Sequence, residues 1–388
     1  MDAQATEALL RFFRGLEDPR AANARHLLGD ILTIAIMAVL CGCDGWESVE
    51  AWGCGNHQWL ATILELPHGI PSHDTFDRVF ALLDPLAFER CFMSWTTTLV
   101  KSSAGLLVAV DGKTLRRSFK HAWSKTAAHL VSAFATQNQL VLGQVATDAK
   151  SNEITAIPQL LAMLHLTGAT VTIDAMGCQR EIAGQIKGQK AHYILAVKEN
   201  QPTLHQKVKT LLDEGILDGF AKMSFGYHEE TDKKHGRIER RRVWVTDEVK
   251  WLGEELLEAW PGLSSVAVVE ASRRNLGDLS GKVSVERRYY ISSHGGTDAQ
   301  FHAKAIRGHW GVENALHWRL DVGMNEDQCR LRVKHGAENF SRLRRIALNK
   351  LKRWEMKRPN GKVIKTSMRL KQKSCGWSHK FLIEALLA

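Results

Sequence analysis

Two aspartates in this sequence stand at the ends of apolar runs that are typical of buried strands. Asp111 closes the run LLVAVD, and Asp174 closes ATVTID. Ligands collect at strand ends in α/β sheets, so each carboxylate is expected where a strand opens onto the surface. Either residue alone has a structural explanation, because Asp before Gly112 can start a turn and Asp174 can cap the following helix. Two such strand ends in one sheet would bring like charges together, an arrangement that calls for a cation.

A third acid would complete such a site. A hard divalent ion such as Mg²⁺ or Mn²⁺ takes oxygen ligands and leaves positions for water and substrate phosphate. Two such ions about 4 Å apart can activate the attacking oxygen and stabilise the leaving oxygen of a phosphoryl transfer. The acids available downstream are Glu313, Asp321, Glu326 and Asp327. We favour Glu313 because it lies within a predicted helix, with Trp310 and His317 on the same face at i−3 and i+4.

Changes in hydrophobic period divide the chain into the parts that must position these acids. Residues 1–102 show helix-length apolar patterns, whereas short β-type runs begin at Leu106 and then alternate with helical patterns. Such alternation predicts an α/β domain over 103–358, with a mixed sheet flanked by helices. β-type runs return at about 224–293 and indicate an insertion within that domain, while 359–388 is predicted to be a basic C-terminal tail.

Basic residues are concentrated towards the C-terminal end. The chain has a net charge of +10 and a pI of about 9.3, which favours a polyanionic partner. The stretch from Arg330 to Lys373 holds 16 Lys and Arg against Glu338 and Glu355, a net charge of +14, so the rest of the chain sums to −4. A solvated surface explains such a stretch as well as a nucleic-acid partner does. Against DNA, it would add affinity that falls steeply with salt.

The cysteines and the N-terminal sequence bear on the cellular compartment. Seven cysteines, an odd number without a repeated CxxC spacing, fit a reduced cytosol. The first residues lack a basic segment followed by an apolar one, and the most apolar run, 27–40, is short for a bilayer and contains Asp30. We therefore expect a cytoplasmic protein, associated with the nucleoid.

Several longer motifs resemble a known family. The segments VAVDGKTLRRS, VTIDAMGCQREIA, KENQP, HGRIERRRVWV, YYISS and GHWGVENALHWRLDV occur in this order. Together they resemble the H-repeat-associated group of insertion-sequence DDE transposases. The stretches ARHLLGDILTIAIMAVLCG, WESVEAWG and GIPSHDTFDRVF look like the N-terminal domain associated with that group. The resemblance covers nearly the whole chain.

This resemblance implies an RNase-H-like core, in which the first Asp lies on the first strand, the second Asp follows the fourth strand and the Glu lies on a late helix. Asp111, Asp174 and Glu313 match those places, with separations of 63 and 139 residues that leave room for the β-rich insertion. It also implies a site for Mg²⁺ or Mn²⁺, with two ions and no organic cofactor. The implied reaction cuts DNA at the ends of the element and joins the exposed 3′-hydroxyl to target DNA, without a covalent enzyme intermediate.

The sequence departs from the wider branch of this family near the Glu. That branch commonly carries Tyr, Arg and Lys around its Glu, where this chain has Ile306, His309 and Leu320. We expect His309 and Arg319 to contact the DNA backbone instead. How the flanking strand is handled stays open.

Basic and polar residues beside the motifs are candidates for contacts with phosphate. Exposed hairpin faces and capped turns explain some of them nearly as well. The full set of predicted DNA-binding residues is Lys113, Arg116, Arg117, Lys198, Asn200, Arg237, Arg240, Arg242, His309, Arg319, Arg342 and Arg345. Among them, Arg237, Arg240 and Arg242 are expected on one basic strand face, and Arg342 and Arg345 lie off the apolar stripe of a predicted helix.

Other functions stay open on sequence alone. A transposase relic would bind DNA without cutting it, although all three acids and all the ordered motifs are present. A nuclease that cuts without joining would use the same acids. An α/β metabolic enzyme is disfavoured, because no Gly-rich phosphate loop follows a strand. Pairing of two element ends, an expectation from the family, implies at least a homodimer on DNA.

Overall fold

The computed structural model describes residues 2–100, 102–118, 127–147, 153–221, 223–234, 236–277, 283–358 and 360–388. Its N-terminal part is helical, as the sequence predicts. The helices of this part are α1 (Asp2–Leu10), α2 (Leu28–Leu40), α3 (Trp46–Gly55), α4 (His57–Leu60), α5 (His73–Leu82) and α6 (Pro85–Leu99).

Helix α2 forms the centre of this helical part. Its sequence LGDILTIAIMAVL is apolar on all sides, and the helix is buried from Asp30 onwards. Asp30 accepts a hydrogen bond from the backbone N–H of Leu66 at 3.0 Å, and burial raises the pKa of this carboxyl. The buried acid therefore has a polar partner, as buried polar groups require. Among the described residues, no helix combines the length and the apolar character that crossing a bilayer would need.

A mixed sheet follows the helices, and in the described part of the chain it has nine strands. They are β1 (Leu107–Thr114), β2 (His129–Ala135), β3 (Leu140–Ala146), β4 (Thr170–Ile173), β5 (His192–Val197), β6 (Gly226–Lys234), β7 (Arg237–Thr246), β8 (Ser265–Asn275) and β9 (Val283–Ser292). The order across the sheet is β3-β2-β1-β4-β5-β9-β8-β7-β6. β1, β4 and β5 are parallel, and the other neighbours are antiparallel. The prediction of a mixed α/β sheet is confirmed.

The β-rich stretch at 224–293 extends this same sheet. β9 pairs antiparallel with β5, with Ile194 opposite Ser292. β8, β7 and β6 then follow outwards. The predicted insertion therefore forms one continuous surface with the core sheet, next to the parallel strands.

Helices cover both faces of the sheet. One face packs against α7 (Glu153–Met163), α8 (Arg180–Gly188), α9 (Pro202–Asp218) and α10 (Glu254–Ala259), and the other packs against α11 (Ala299–Val312). Along β1, Val108 and Val110 join the first of these cores, whereas Leu107 joins the core under α11. Because side chains alternate along a strand, Asp111 shares the face of Leu107 and points towards α11.

The C-terminal part is helical. α11 continues through one π-helical turn (Glu313–His317) into α12 (Trp318–Met324), followed by α13 (Gly336–Arg353), α14 (Met368–Trp377) and α15 (His379–Leu387). α13 is buried along almost its whole length, and Leu382 and Leu386 of α15 belong to the same apolar core as Leu9 of α1. The stretch predicted as a basic tail is therefore a folded part of the helical core.

Side chains from the helical part satisfy the outer edge of β3. The side-chain amide of Asn349 donates to the carbonyl of Val141 at 2.8 Å and accepts from its N–H at 2.9 Å. Glu89 accepts from the N–H of Gln144 at 2.8 Å, and the Thr96 hydroxyl donates to the carbonyl of Leu142 at 2.9 Å. An edge strand with unpaired backbone groups would invite pairing with another chain. Here α6 and α13 take those groups and hold the helices to the sheet.

Candidate active site

Asp111 lies on β1, beside the first parallel neighbour of that strand. It is paired with Ser132 of β2, and one residue earlier Val110 is level with Ile173 of β4. The Oδ2 atom of Asp111 and the Nε2 atom of His317 are 2.9 Å apart, within hydrogen-bond distance. The carboxylate is therefore fixed from the helix side before any ligand arrives.

Asp174 follows β4 directly and caps the short 3₁₀ turn Ala175–Gly177. Its Oδ1 atom accepts from the N–H groups of Met176 at 3.0 Å and Gly177 at 3.4 Å. The capping role that the sequence allowed is thus present. Since both of these bonds use Oδ1, the cap leaves the other oxygen of Asp174 for a second interaction. Because β1 and β4 are parallel neighbours, Asp111 and Asp174 lie at the same edge of the sheet.

Glu313 begins the π-helical turn between α11 and α12. The N–H of Trp318 donates to the carbonyl of Glu313, which gives the five-residue repeat of a π turn. Such turns are rare and frequently occur at functional sites. The side chain of Glu313 is exposed and lines the same cleft as Asp111 and Asp174, a space of about 340 Å³.

The pKa values of the two aspartates are shifted in opposite directions. Burial would raise the pKa of Asp111, but the hydrogen bond and charge of His317, with a smaller effect of His309, hold it below its usual value. The pKa of Asp174 is raised by burial, then by the charge of Glu153 and, more weakly, by that of Asp111. A cation between the strand ends would relieve this repulsion.

His309 lies within the cleft, one helical turn before Glu313. Its Nδ1 atom is 3.1 Å from the hydroxyl of Thr172, and burial lowers the pKa of the ring despite the nearby charges of Asp111 and Asp174. From the sequence, His309 is expected to contact the DNA backbone. The structure gives it a place beside the carboxylates, on the floor of the cleft.

The donor set of the cleft suits a hard divalent cation. Asp111, Asp174 and Glu313 offer oxygen atoms, which Mg²⁺ and Mn²⁺ prefer. Within the described ranges, no group of three or more His, Cys, Asp or Glu side chains is arranged so that it could hold a metal ion. The three carboxylates share the cleft without forming an assembled metal site.

The other acids considered downstream gather around Lys113 instead. Its Nζ atom contacts Asp321, lies 2.9 Å from Glu326 Oε2 and lies 3.8 Å from Asp327 Oδ1. Only 9% of the Lys113 side chain is exposed. The expected phosphate contact of Lys113 is therefore contradicted, because three carboxylates already surround its ammonium group.

Arg342 and Arg345 of α13 do not lie on a DNA-binding surface. Both are fully buried. Arg342 forms an ion pair with Glu89, and Arg345 donates to Glu326 Oε1 at 2.8 Å. The expectation of DNA contact is wrong for these two residues, because α13 is enclosed on all sides and its charges are paired inside the protein.

Six of the expected DNA-binding residues lie on the surface, among them Arg116, Arg117 and Lys198. Arg116 is 81% exposed and has Asp327 at 3.4 Å. Arg117 is exposed and its carbonyl accepts from Arg332 Nε at 3.2 Å. Lys198, at the end of β5, is exposed and lines the cleft. Their positions are compatible with phosphate contacts.

Asn200 is exposed like these three residues, whereas Arg319 is less accessible. The side chain of Asn200 donates to the carbonyl of Ala175 at 2.7 Å and so supports the turn that follows Asp174. Arg319 is half-buried, and its Nε atom has no hydrogen-bond partner within the described part of the chain. Asn200 thus supports this turn. The contacts of Arg319 do not test its expected role in DNA binding.

The arginines of β7 do not share one face. Arg237 lies on the side of Glu239 and Arg241, which faces α11. Arg240 and Arg242 point to the opposite side, where they pair with Glu229 and Glu270. The expectation of a single basic face is wrong, because a spacing of three residues reverses direction in a strand.

One acid beside the cleft was missed. Glu153, at the start of α7, has its Oε1 atom 2.8 Å from His129 Nε2. A Cβ atom on Gly112 would collide with both side chains, so glycine next to Asp111 makes room for this pair. The glycine that follows Asp111 was the available signal, which the sequence analysis read as part of a turn.

Comparison with known proteins places the chain in a family. Residues 102–350 match the family described as the transposase DDE domain, and residues 10–96 match the domain described as DDE_Tnp_1-associated. YhhI of Escherichia coli (strain K12), named as an H repeat-associated transposase, is 40% identical over 94% of this chain and 93% of its own length. YncI of Escherichia coli O157:H7, also named as a transposase, is 40% identical over 98% of this chain and 94% of its own length.

Among solved structures, the chain resembles a piggyBac transposase synaptic complex with hairpin DNA. The TM-score is 0.40 and the identity 10%, covering 100% of this chain and 78% of that one. This likeness is too weak to bear on fold or function. The sequence matches decide the assignment, and the chain belongs to the DDE transposase family, together with the H repeat-associated transposases.

Proposed function

We propose that this transposase cleaves DNA at the ends of an insertion sequence and transfers the exposed 3′-hydroxyl into target DNA. The observation that carries the proposal is that Asp111, Asp174 and Glu313, from two strand ends and one helix, line a single cleft. We infer an RNase-H-like core from the family match and from the strand order β3-β2-β1-β4-β5, with the two aspartates on β1 and after β4.

Asp111, Asp174 and Glu313 would hold Mg²⁺ or Mn²⁺. When bound, such ions stabilise the charge on a phosphate under attack and lower the pKa of water. His317 keeps Asp111 ionised and oriented through the contact to Oδ2. The N–H groups of Met176 and Gly177 fix Asp174.

DNA is the proposed partner. The exposed side chains of Arg116, Arg117 and Lys198 are proposed to bind phosphates around the cleft, and Arg319 is kept as a weaker candidate. Pairing of two DNA ends would involve at least two copies of the chain. The oligomer on DNA is therefore proposed to be a homodimer or larger.

Cleavage of linear DNA that carries the element's own end tests the proposal. Wild type would be compared with Asp111→Asn, Asp174→Asn and Glu313→Gln, in Mg²⁺ or Mn²⁺, after each variant is shown to bind DNA. We expect nicking to fall by at least about 100-fold in each variant, as when a key electrostatic contributor is removed. Glu199→Gln is the control, because Glu199 is an exposed acid next to Lys198 that does not itself line the cleft.

The outcomes separate the candidate functions. Normal cutting by Glu313→Gln would remove this residue from the site. Wild type that binds DNA ends but never cuts would be an inactive DNA-binding relic. Wild type that cuts but does not join a labelled 3′-hydroxyl end to target DNA would be a nuclease.

A further inference from the structure

A second cavity adjoins the catalytic cleft. It has a volume of about 350 Å³ and lies between α11 and the extension of the sheet. Both spaces are lined by Arg288, Tyr290 and Trp310. The guanidinium carbon of Arg288 lies 4.1 Å from the ring centroid of Trp310, so this stacked pair stands between the two spaces.

Five arginines line the second cavity, and we call it the arginine groove. They are Arg237, Arg241, Arg273, Arg288 and Arg307. Strand register explains why they converge. Glu239 of β7 is directly opposite Arg273 of β8, and Arg237 and Arg241 lie two residues to either side of Glu239 on the same face. Arg307 enters from α11.

A buried acid organises the outer end of the groove. Glu239 is 7% exposed and lies 2.8 Å from Arg241, 3.0 Å from Arg273 and 3.8 Å from Arg237. Each guanidinium has five N–H donors, of which one carboxylate takes only one or two. The arginines are thereby held in place, and donors are left for a further anion.

The two arginines at the outer end of the groove are accessible. Arg237 is 49% exposed and Arg273 is 39% exposed, whereas Arg241 beneath them is 22% exposed. Five cations line the groove, against Glu230, Glu239 and Glu286, and a fourth acid, Asp232, pairs with Arg241 and Arg307. The surplus of positive charge and the fork-shaped donors suit phosphate groups.

We propose that the arginine groove binds the phosphate backbone of the DNA strand that runs out of the cleft formed by Asp111, Asp174 and Glu313. This inference rests on the proposed function, because it names the path of that DNA. The groove lies on the face of the sheet towards which Asp111 points, so one strand can occupy the cleft and the groove together. Arg237 and Arg273 make the outer contacts, and Arg288 with Trp310 forms the passage between the two spaces.

The opposite face of the same strands supplies a matched control. Arg240 is on β7 like Arg237, is equally exposed at 49%, and points away from α11. Arg274 is the neighbour of Arg273 on β8 and shares the face of Arg240. The variants Arg237→Gln/Arg273→Gln and Arg240→Gln/Arg274→Gln therefore remove the same charge from opposite faces of the same two strands.

Binding to a short linear DNA duplex of arbitrary sequence is measured over a range of salt concentrations, without divalent metal. Loss of two phosphate contacts should reduce the slope of log K against log salt by about 2 in the groove variant. The control should stay within about 0.5 of the wild-type slope, as expected for residues that touch no phosphate. Thermal melting establishes that both variants fold like wild type.

Any result other than a reduced slope in the groove variant alone would overturn the inference. Unchanged slopes in both variants would remove the groove from the DNA path, and equal reductions would indicate a general effect of net charge. A reduction in the control alone would move the DNA to the opposite face. Cleavage by wild type in Mg²⁺ distinguishes failure of this inference from failure of the proposed function. If wild type cuts DNA and the groove variant keeps the wild-type slope, the inference is refuted and the proposed function stands. Wild type that fails to bind DNA would refute both.

Discussion

His317 and Asp111 join two of the three elements that carry the candidate catalytic acids, with 2.9 Å between Nε2 and Oδ2. His317 lies four residues after Glu313, at the end of the same π-helical turn. A second contact, from Lys113 to Asp321, repeats the link two residues along β1 and four residues along the helix. The strand and the helix are thus held in one register, which sets Asp111 opposite Glu313.

Replacing His317 should change the titration of Asp111. Burial alone would raise the pKa of this carboxyl, and the hydrogen bond from His317 is the first of the effects that lower it. In His317→Ala the pKa of Asp111 should rise, so the ionised form is lost at a higher pH on acidification. The acidic limb of the pH profile of single-turnover cleavage should move to higher pH, and carboxyl NMR of Asp111 should report the same shift.

The conservative variant His317→Gln tests whether the hydrogen bond to Asp111 causes the shift. The side-chain amide of His317→Gln can still donate to Asp111, so it should return part of the shift. An acidic limb that stays in place in His317→Ala would show that His317 does not control this carboxylate.

Glu326 should contribute stability that disappears in acid. It is fully buried and accepts from Ser341 at 2.6 Å, Arg345 at 2.8 Å and Lys113 at 2.9 Å. Burial would raise its pKa, but the charges of Arg345, Lys113 and Arg344 hold it far below the usual range. This contribution is complete above the unfolded pKa of about 4.3 and is lost as pH falls below it towards the folded value.

Glu326→Gln should therefore lower the free energy of unfolding by about 3–5 kcal/mol at pH 7, because it leaves buried cations without their partner. Urea unfolding should show the gap to wild type narrowing from about pH 4 downwards. The exposed Asp74→Asn is the control and should change little at either pH. A gap that is constant with pH would mean that Glu326 is not ionised in the folded protein.

Arg342 should matter for folding and not for DNA affinity. Arg342→Met leaves Glu89 buried without its counter-ion, so unfolding should become about 3–5 kcal/mol easier. The salt dependence of DNA binding should match wild type at a temperature where the variant is folded. The double variant Glu89→Leu/Arg342→Met removes both charges and should regain part of the stability. A weaker salt dependence with normal stability would return Arg342 to the DNA interface.

Local sequence pattern is enough to propose the residues of the candidate site that depend on one element each. Asp111 and Asp174 can be proposed because an apolar strand followed by an acid is visible within six residues of sequence. Arg342 was misplaced because its partner Glu89 is 253 residues away, and no local periodicity reports such a pair. Glu313 was preferred through helical spacing and family resemblance, whereas its π-helical turn has no counterpart in the sequence pattern.

Local sequence pattern also does not predict how the strands of the sheet pair. The strands of 224–293 were predicted as an insertion, but their pairing with β5 depends on contacts between distant segments. The faces of Arg237 and Arg240 follow from strand alternation, which the spacing of three already contained. A single basic face formed by these two arginines and Arg242 is incompatible with that alternation.

Lys352 should support the turn that carries Glu313. Its ammonium group donates to the carbonyls of Ala315 at 2.9 Å and Gln139 at 2.8 Å. Ala315 lies inside the π-helical turn. Lys352→Met removes both donors, so we expect cleavage by the folded variant to fall more than its affinity for DNA. Lys371→Met is the matched control, because Lys371 also donates to two backbone carbonyls, but at the end of α13.

The pH dependence of stability gives a second readout for Lys352. Burial, with a smaller effect of Arg319, lowers the pKa of Lys352 to about 7 from an ordinary value of 10.5. Between these values the unfolded chain holds more protons than the folded one, so the lysine adds stability as pH rises. The free energy of unfolding of wild type should gain on that of Lys352→Met from pH 7 to about pH 10, by at most about 1.4 kcal/mol per pH unit. Parallel curves would mean that Lys352 is solvated, and its contact with the π-helical turn could then not explain a loss of cleavage.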